Sequence, residues 1–315
     1  MEIDKAISEC SDRRLQTKYN NATYVIRRAL ALYSFEEVAF SFNGGKDSTA
    51  LLHLLRAGYF LHKNDMDYIS RTQTDCDHQC AIRTIYFESP SAFPEINSFT
   101  YETANSYNLQ LEIIRLDFKS GLEDLLRKRP VKAIFLGTRI GDPNAVGQEQ
   151  FSPSSFGWPP FMRVNPILDW SYRDVWAFIL TCKVQYCTLY DIGYTSVGSI
   201  HDTVPNASLC FTDSDNKEHF KPAYLLLDGR LERAGRAKKH PAISDGVPTV
   251  SNGNIMDKCW SRTLSASIIA VGDEILKRKQ LKKFQGNDDE MYKYAIEIRQ
   301  LQPIENIQNV GLMAI

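Results

Sequence analysis

Charge of one sign is what this chain has least of. Its 37 Lys and Arg residues face 38 Asp and Glu residues, a formal net charge of −1 over 315 residues. That balance excludes a broad electrostatic grip on nucleic acid or on an anionic membrane, and leaves only local basic pockets. No apolar run reaches the length of a membrane span. The opening MEIDKAISECSDRR has no apolar h-region, so no secretory signal is visible. Acidic residues at 2, 4 and 9 argue against a transit peptide, although a mitochondrial form stays open beside the expected cytoplasmic one. Seven cysteines, an odd count without regular spacing, do not make a disulfide framework and fit reduced thiols. No internal repeat is present. At 43% apolar and 24% charged residues the composition is that of an ordinary globular protein. The length suits one large domain with a real core and an appendage.

What is there is an alternation of short apolar runs and helical periods. Leu15, Tyr19, Ala22, Val25, Ile26, Ala29 and Leu30 predict an amphipathic helix over 11–33. EEVAFSF (36–42), IRTIYF (82–87), LQLEIIRL (109–116) and KAIFLGT (132–138) read as strands. DSTALLHLLRAG (47–58), a segment from Pro94 to about Tyr107, and GLEDLLRKR (121–129) read as helices, with Gly58 as the expected stop of the first. Residues 62–80 and 139–165 read as loops. Ser171 and Asp174 form a capping-box pair for a helix from Ser171 to Cys182. YLLLDG (224–229) reads as an edge strand. The expected fold class is α/β, an open, mostly parallel sheet with helices on both faces. It should be followed by a partly irregular tail.

The segment that carries chemistry is SFNGGKDS, Ser41 to Ser48, between a predicted strand and a predicted helix. There, backbone N–H groups and the positive end of a helix dipole can receive phosphate. Gly44 and Gly45 allow a tight turn and close backbone approach. Lys46 adds a cation and Ser48 a hydroxyl. A Walker A loop would need Ser or Thr directly after the lysine, and here Asp47 follows it. A second constellation, FLGTRIGDP (135–143), delivers Arg139 and Asp142 beyond the end of a strand, where open α/β sheets bind ligands. Arg139 suits a phosphate and Asp142 suits Mg²⁺ or a polar ring edge; the bland alternative is a surface ion pair. A third, SPSSFGWPPF followed by RVNPILDWSYRDVWAFI, is dense in aromatics, with Trp158, Phe161, Trp170 and Trp176. Such faces stack on flavin or purine rings, although Trp176 lies at helical spacing and suits a core equally. Asp169 could cap the helix or touch ligand. A fourth pairs the polar turn GYTSVGS (193–199) with YLLLDGRLERAGR, whose Arg233 and Arg236 could cover phosphates.

The strand–S-x-x-GG-x-DS–helix arrangement resembles the PP-loop of ATP pyrophosphatases, in which the β and γ phosphates leave as pyrophosphate. Taken in order, the segments between 40 and 236 resemble the eukaryotic FAD synthase family, the FMN adenylyltransferases of the PAPS-reductase-like group. The resemblance implies an adenine nucleotide alpha hydrolase-like fold and the reaction of FMN with ATP to FAD and pyrophosphate, with Mg²⁺. It assigns Asn43, Asp47, Arg139, Asp142 and Arg236 to catalysis, with Asp47 and Asp142 on the metal. Ser41, Phe42, Gly44, Gly45, Lys46, Ser48 and Ser89 are assigned to ATP, and Asp169, Trp170, Trp158, Tyr194, Ser196 and Arg233 to FMN. It also implies a domain over 1–236, a linker over 237–262, and a truncated molybdopterin-binding-like remnant over 263–315, partly disordered, opening on ASIIAVGDEILKRK. Small molecules are then the expected partners, with no nucleic acid and no membrane. Rival readings are a sulfonucleotide reductase, which would need a nucleophilic cysteine in a C-terminal tail, where Cys259 in DKCWSR stands without the expected Cys-Gly-x-His context, and a non-catalytic flavin-binding isoform. A tRNA-thiolating pyrophosphatase would want a basic surface that is missing. Cys76, His78 and Cys80, near His62, invite a zinc reading, but an ordinary polar loop is expected.

Overall fold

The computed structural model describes residues 2–70, 80–143 and 145–236. Its centre is a six-stranded sheet of order β3-β2-β1-β4-β6-β5. The strands are β1 (Val38–Ser41), β2 (Arg83–Phe87), β3 (Leu111–Ile114), β4 (Ala133–Phe135), β5 (Phe151–Pro153) and β6 (Met162–Val164). All neighbouring pairs are parallel except β5 with β6. The four expected strands are thus present.

Alternation along the strands shows how the faces are used. Val38, Phe40, Ala133 and Phe135 enter the larger core cluster, while Ala39 and Ile134 enter the smaller one. Successive strand residues point to opposite faces, so both faces are dry. On the larger side pack α2 (Arg13–Leu32), α3 (Lys46–Ser70) and α6 (Tyr172–Thr181), through residues such as Leu15, Ile26, Leu51 and Trp176. On the other side lies α5 (Phe118–Lys128), which buries Leu122 and Leu125. The fold is therefore the expected doubly covered α/β sheet. The helix α4 (Pro94–Ser106) links β2 to β3 and has Pro94 in its first turn. A short helix, α1 (Glu2–Glu9), precedes α2 and was not expected. Asp12 ends the interval between them by accepting the Leu15 N–H at 3.0 Å.

The helix predicted over 47–58 continues through Gly58 to Ser70. Gly58 is no stop signal. A Cβ there would lie 2.7 Å from Ile26 Cγ2, so the missing side chain lets α2 and α3 approach closely. The expected loop over 62–80 is helical in its first part, and residues 71–79 lie outside the described residues. So do Cys76 and His78 of the zinc reading. Cys80 is buried, burial pushes its thiol up to about 11, and no cluster of three His, Cys, Asp or Glu side chains occurs among the described residues.

Two further expectations are corrected. The loop predicted over 139–165 contains β5 and β6, each of three residues, too short to show a period. The edge strand predicted over 224–229 is instead two 3-10 turns, Ala223–Leu225 and Gly229–Leu231. Side chains of α6 take carbonyls that a partner strand would have used. Tyr172 donates to Ala223 O at 2.7 Å and Arg173 to Leu227 O at 2.7 Å. The remaining hairpin is β7 (Cys210–Thr212) with β8 (Glu218–Phe220). The tail assignments over 237–262 and 263–315 fall outside the described residues.

Candidate active site

The chain leaves β1 for β2 on one side of the sheet, whereas β4, on the other side of β1, leads on towards β6. Connections diverge there, and the crevice beyond the carboxyl ends of β1 and β4 is where doubly wound sheets place ligands. Both singled-out loops end in that crevice.

Residues 42–45 turn the chain from β1 into α3. Phe42 donates its N–H to Ile85 O at 2.9 Å and buries its ring between Phe40 and Phe99. Its side chain is core, so only its backbone faces the crevice rim. Asn43 organises the turn, because its Oδ1 accepts from Gly45 N–H at 3.0 Å and from Ser48 Oγ at 2.7 Å. Gly44 has φ +69°, and a Cβ on it would meet Thr100 Oγ1 at 2.6 Å. Here the glycine is required twice over, by conformation and by space. The loop from β4 comes equally close: a Cβ on Gly137 would lie 3.1 Å from Ser48 N and 3.2 Å from Asp47 C.

That approach brings Arg139 to the start of α3. Its Nε lies 2.9 Å from Asp47 Oδ1, an ion-pair distance. The two atoms are not aligned as a hydrogen bond, and neither has another hydrogen-bond partner. Asp142 accepts the Arg139 backbone N–H at 2.8 Å. Lys46 is almost wholly buried, 2% exposed, and its Nζ sits 3.0 Å from Asp47 Oδ2 and in contact with Glu232. Beneath it lie the rings of Tyr172 and Tyr190, 5.3 and 6.0 Å from Nζ. The Tyr190 hydroxyl accepts the Lys46 backbone N–H at 2.9 Å. Burial works against the Lys46 ammonium, but Asp47 and then Glu232 outweigh it and raise its pKa. Arg139 is raised for the same reasons, against its own burial. Burial would raise Glu232, yet Lys46 and Arg139 hold it below the usual carboxylate range. Lys46, Arg139, Asp47 and Glu232 thus meet in one compact, largely buried group, which suits a site for a highly charged ligand.

The other candidates scatter. Ser89 is exposed at the end of β2, the neighbour of β1, and bonds Ser91 Oγ at 2.9 Å. Ser41 ends β1. Tyr194 stands edge-on to Phe93 at 5.3 Å, and Ser196 is half-buried in the same turn. Trp158 is 38% exposed and leans on Phe118 at 5.7 Å. Arg233 is exposed, and Arg236 lies over Gly198 with its Nε 3.4 Å from Asp202. Two further FMN candidates lie near α6 and α2. Trp170 is 2% exposed and packs edge-on against Phe178. Asp169 pairs with Lys18 of α2, 2.5 Å from its Nζ.

Comparison with known proteins fits this geometry. Residues 119–205 match the phosphoadenosine phosphosulfate reductase domain model. The probable FAD synthase of Schizosaccharomyces pombe is 37% identical over 228 residues, 72% of this chain and 82% of that one. The chain belongs to the FAD synthase family. The flavin adenine dinucleotide synthase of Saccharomyces cerevisiae is 30% identical, with 64% and 82% of the two chains covered. The probable FAD synthase of Caenorhabditis elegans is 37% identical over 70% of this chain, a stretch that spans 40% of that longer relative. Among solved structures, Candida glabrata FMN adenylyltransferase in complex with FAD and inorganic pyrophosphate has the same fold, with TM-score 0.67 at 24% identity over 76% of this chain and 95% of that one.

Within this FAD synthase fold, sequence reasoning missed two residues of the cluster, Glu232 and Tyr190. Glu232 stands inside LERAGR between residues that read as a solvated helix end, and its partners Arg139 and Lys46 lie far away in the sequence. Tyr190 had no signal: an aromatic residue in LYDIGY reads as core, and its hydroxyl contact lies across the fold.

Proposed function

We propose that this chain transfers AMP from ATP to FMN, giving FAD and pyrophosphate. The observation that carries this reading is the meeting of Lys46, Asp47 and Arg139 at the first turn of α3, in the crevice between β1 and β4. In the forward step an oxygen of the FMN phosphate bonds to the α-phosphorus of ATP, and the bond from that phosphorus to the oxygen bridging to the β-phosphorus breaks. Pyrophosphate leaves with the bond's electron pair. The FMN phosphate is already largely anionic at neutral pH, so no strong general base is needed. What the chain must do is align two anions and stabilise charge growing on the leaving group. Backbone amides of the Asn43–Ser48 turn, with Lys46 and Arg139, are the groups proposed to do this.

A magnesium ion fits the residues present. Asp47 Oδ1 is a buried carboxylate oxygen without a hydrogen bond, and Mg²⁺ is usually held by one or two carboxylates together with substrate phosphates. Asp47 and Asp142 would hold it, and its chemistry would be to neutralise phosphate charge. On the nucleotide side the reading adds Ser41 and Ser89. On the flavin side it adds Trp158, Tyr194 and Ser196, with Arg233 and Arg236 closing over substrate. No described helix is long and apolar enough to cross a membrane. The cysteines at 10, 80, 182, 187 and 210 are all free thiols, which supports the cytoplasm as the proposed compartment. The proposed catalytic unit is 1–236.

Incubation with FMN, ATP and Mg²⁺, with FAD followed by chromatography and pyrophosphate by a coupled assay, tests the reaction. A flavin carrier would bind FAD and release no pyrophosphate, and a reductase would consume adenylyl sulfate. Either result in place of FAD formation rejects the proposal.

A further inference from the structure

The strap from Leu231 to Arg236 is stitched to the turn at 193–206 by contacts that leave it little freedom. Thr195 Oγ1 donates to Glu232 O at 2.6 Å, and Asn206 Nδ2 donates to Leu231 O at 2.8 Å. Val204 N–H donates to Gly235 O at 2.9 Å, and a Cβ on Gly235 would come within 2.2 Å of Val204 O. Asn206 is itself fully buried. The backbone of Glu232 is therefore fixed independently of its side chain. That side chain, 13% exposed, crosses to the far side of the crevice. One oxygen contacts Lys46 Nζ, and both oxygens accept from a single Arg139 nitrogen, at 2.7 and 2.8 Å.

Lys46 opens α3, Arg139 lies in the loop after β4, and both are nearly dry, so they would repel one another without a shared anion. Asp47 also touches both, but it sits on the first turn of the same helix as Lys46 and moves with it. Glu232 comes from an element 186 residues later and is anchored elsewhere. We propose that Glu232 is a positioning residue for oligophosphate, its carboxylate holding the Lys46 ammonium and the Arg139 guanidinium together as one grip. The proposal rests on the adenylyl-transfer reading for the identity of the oligophosphate.

The test is a thermodynamic cycle. Glu232→Gln keeps the size of the side chain and removes its charge. It is expected to lower kcat/KM for ATP at least tenfold, with KM for FMN unchanged within twofold. In the Arg139→Lys background the same change should cost less than threefold, because residues that act as a unit are not additive. Glu232→Asp, which keeps the charge but shortens the reach, should recover part of the loss, and circular dichroism checks that each variant is folded. Wild-type kinetics in Glu232→Gln, or equal losses in both backgrounds, overturns the proposal. A second arm measures binding of inorganic pyrophosphate with Mg²⁺ by calorimetry, and does not depend on turnover. At least tenfold weaker binding to Glu232→Gln than to wild type is expected. If wild type forms no FAD, the function is wrong and this titration alone decides on Glu232; undiminished binding, or no binding to either protein, rejects its role.

Discussion

Arg139 Nε stands 2.9 Å from Asp47 Oδ1, so the loop after β4 and the first turn of α3 share one charged contact. Asp47→Ala removes the carboxylate from that contact and leaves Arg139 with Glu232. The fold should survive, and FAD formation should fall by about 10²-fold or more, the scale for losing one preorganised charge-stabilising group. Initial rates at saturating FMN and ATP check this. Full activity would remove Asp47 from the proposed metal and phosphate site.

Arg139→Lys tests geometry rather than charge. A lysine keeps the cation but cannot reach Asp47 and Glu232 at once with a planar fork. Turnover should drop at least tenfold while thermal stability changes little. Retained turnover would mean that charge alone is required of residue 139.

Trp170 separates a core role from a flavin contact. Trp170→Ala should cost about 3–5 kcal/mol in urea denaturation, the usual range for emptying a large core site. Trp170→Phe should keep KM for FMN unchanged. A several-fold rise in KM for FMN in a stable Trp170→Phe protein would restore the flavin contact.

Gly137→Ala should be harmful although it adds one methyl group. The new Cβ would meet backbone atoms of Asp47 and Ser48 at 3.1–3.2 Å, and backbone cannot swing aside as a flexible side chain does. A loss of about 1–3 kcal/mol is expected for such overpacking, with a parallel loss of turnover. Equilibrium denaturation and kcat, measured on one preparation, settle it.

Asp174 supplies a pH dependence. It accepts from Arg14 Nε at 2.7 Å and Nη2 at 2.9 Å, and from Ser171 N–H at 2.8 Å. Burial would raise its pKa, but Arg14 and Ser171 prevail and hold it at about 2, below the usual value of 3.8. A depressed folded-state value gives stability that is present above about pH 4 and lost as pH falls towards 2. Arg14 is largely exposed, so solvent screening limits the contribution to about 1 kcal/mol. Asp174→Asn should therefore lower the urea midpoint at pH 7 and converge on wild type near pH 2. A difference that is the same at both pH values rejects the ion pair as its source.

The parallel sheet and the strand–turn–helix corner after β1 were legible because their signals are local. β1, a glycine pair and the start of α3 follow one another within a dozen residues, and Val38, Ala39 and Phe40 are apolar without interruption, as a strand covered on both faces must be. Arg139 and Asp142 were legible through their place after a strand. Glu232 was not, because its partners are 93 and 186 residues away and nothing in LERAGR distinguishes a buried carboxylate from a solvated one. Aromatic density alone does not say which rings pack into the core, and Trp170 packs against Phe178. β5 and β6 escaped because three residues are fewer than any period can reveal.

Gly58 gives the turn between β1 and α3 a distant support. The helix that begins at Lys46 rests against Ile26 at the one place where it has no side chain, so the depth of that notch sets how far the helix leans towards its neighbour. A methyl group wedged there would act like a shim beneath a beam, displacing the far end where Asp47 meets Arg139. The alignment of that charged contact is in this sense decided partly by a bare stretch of backbone farther along the helix.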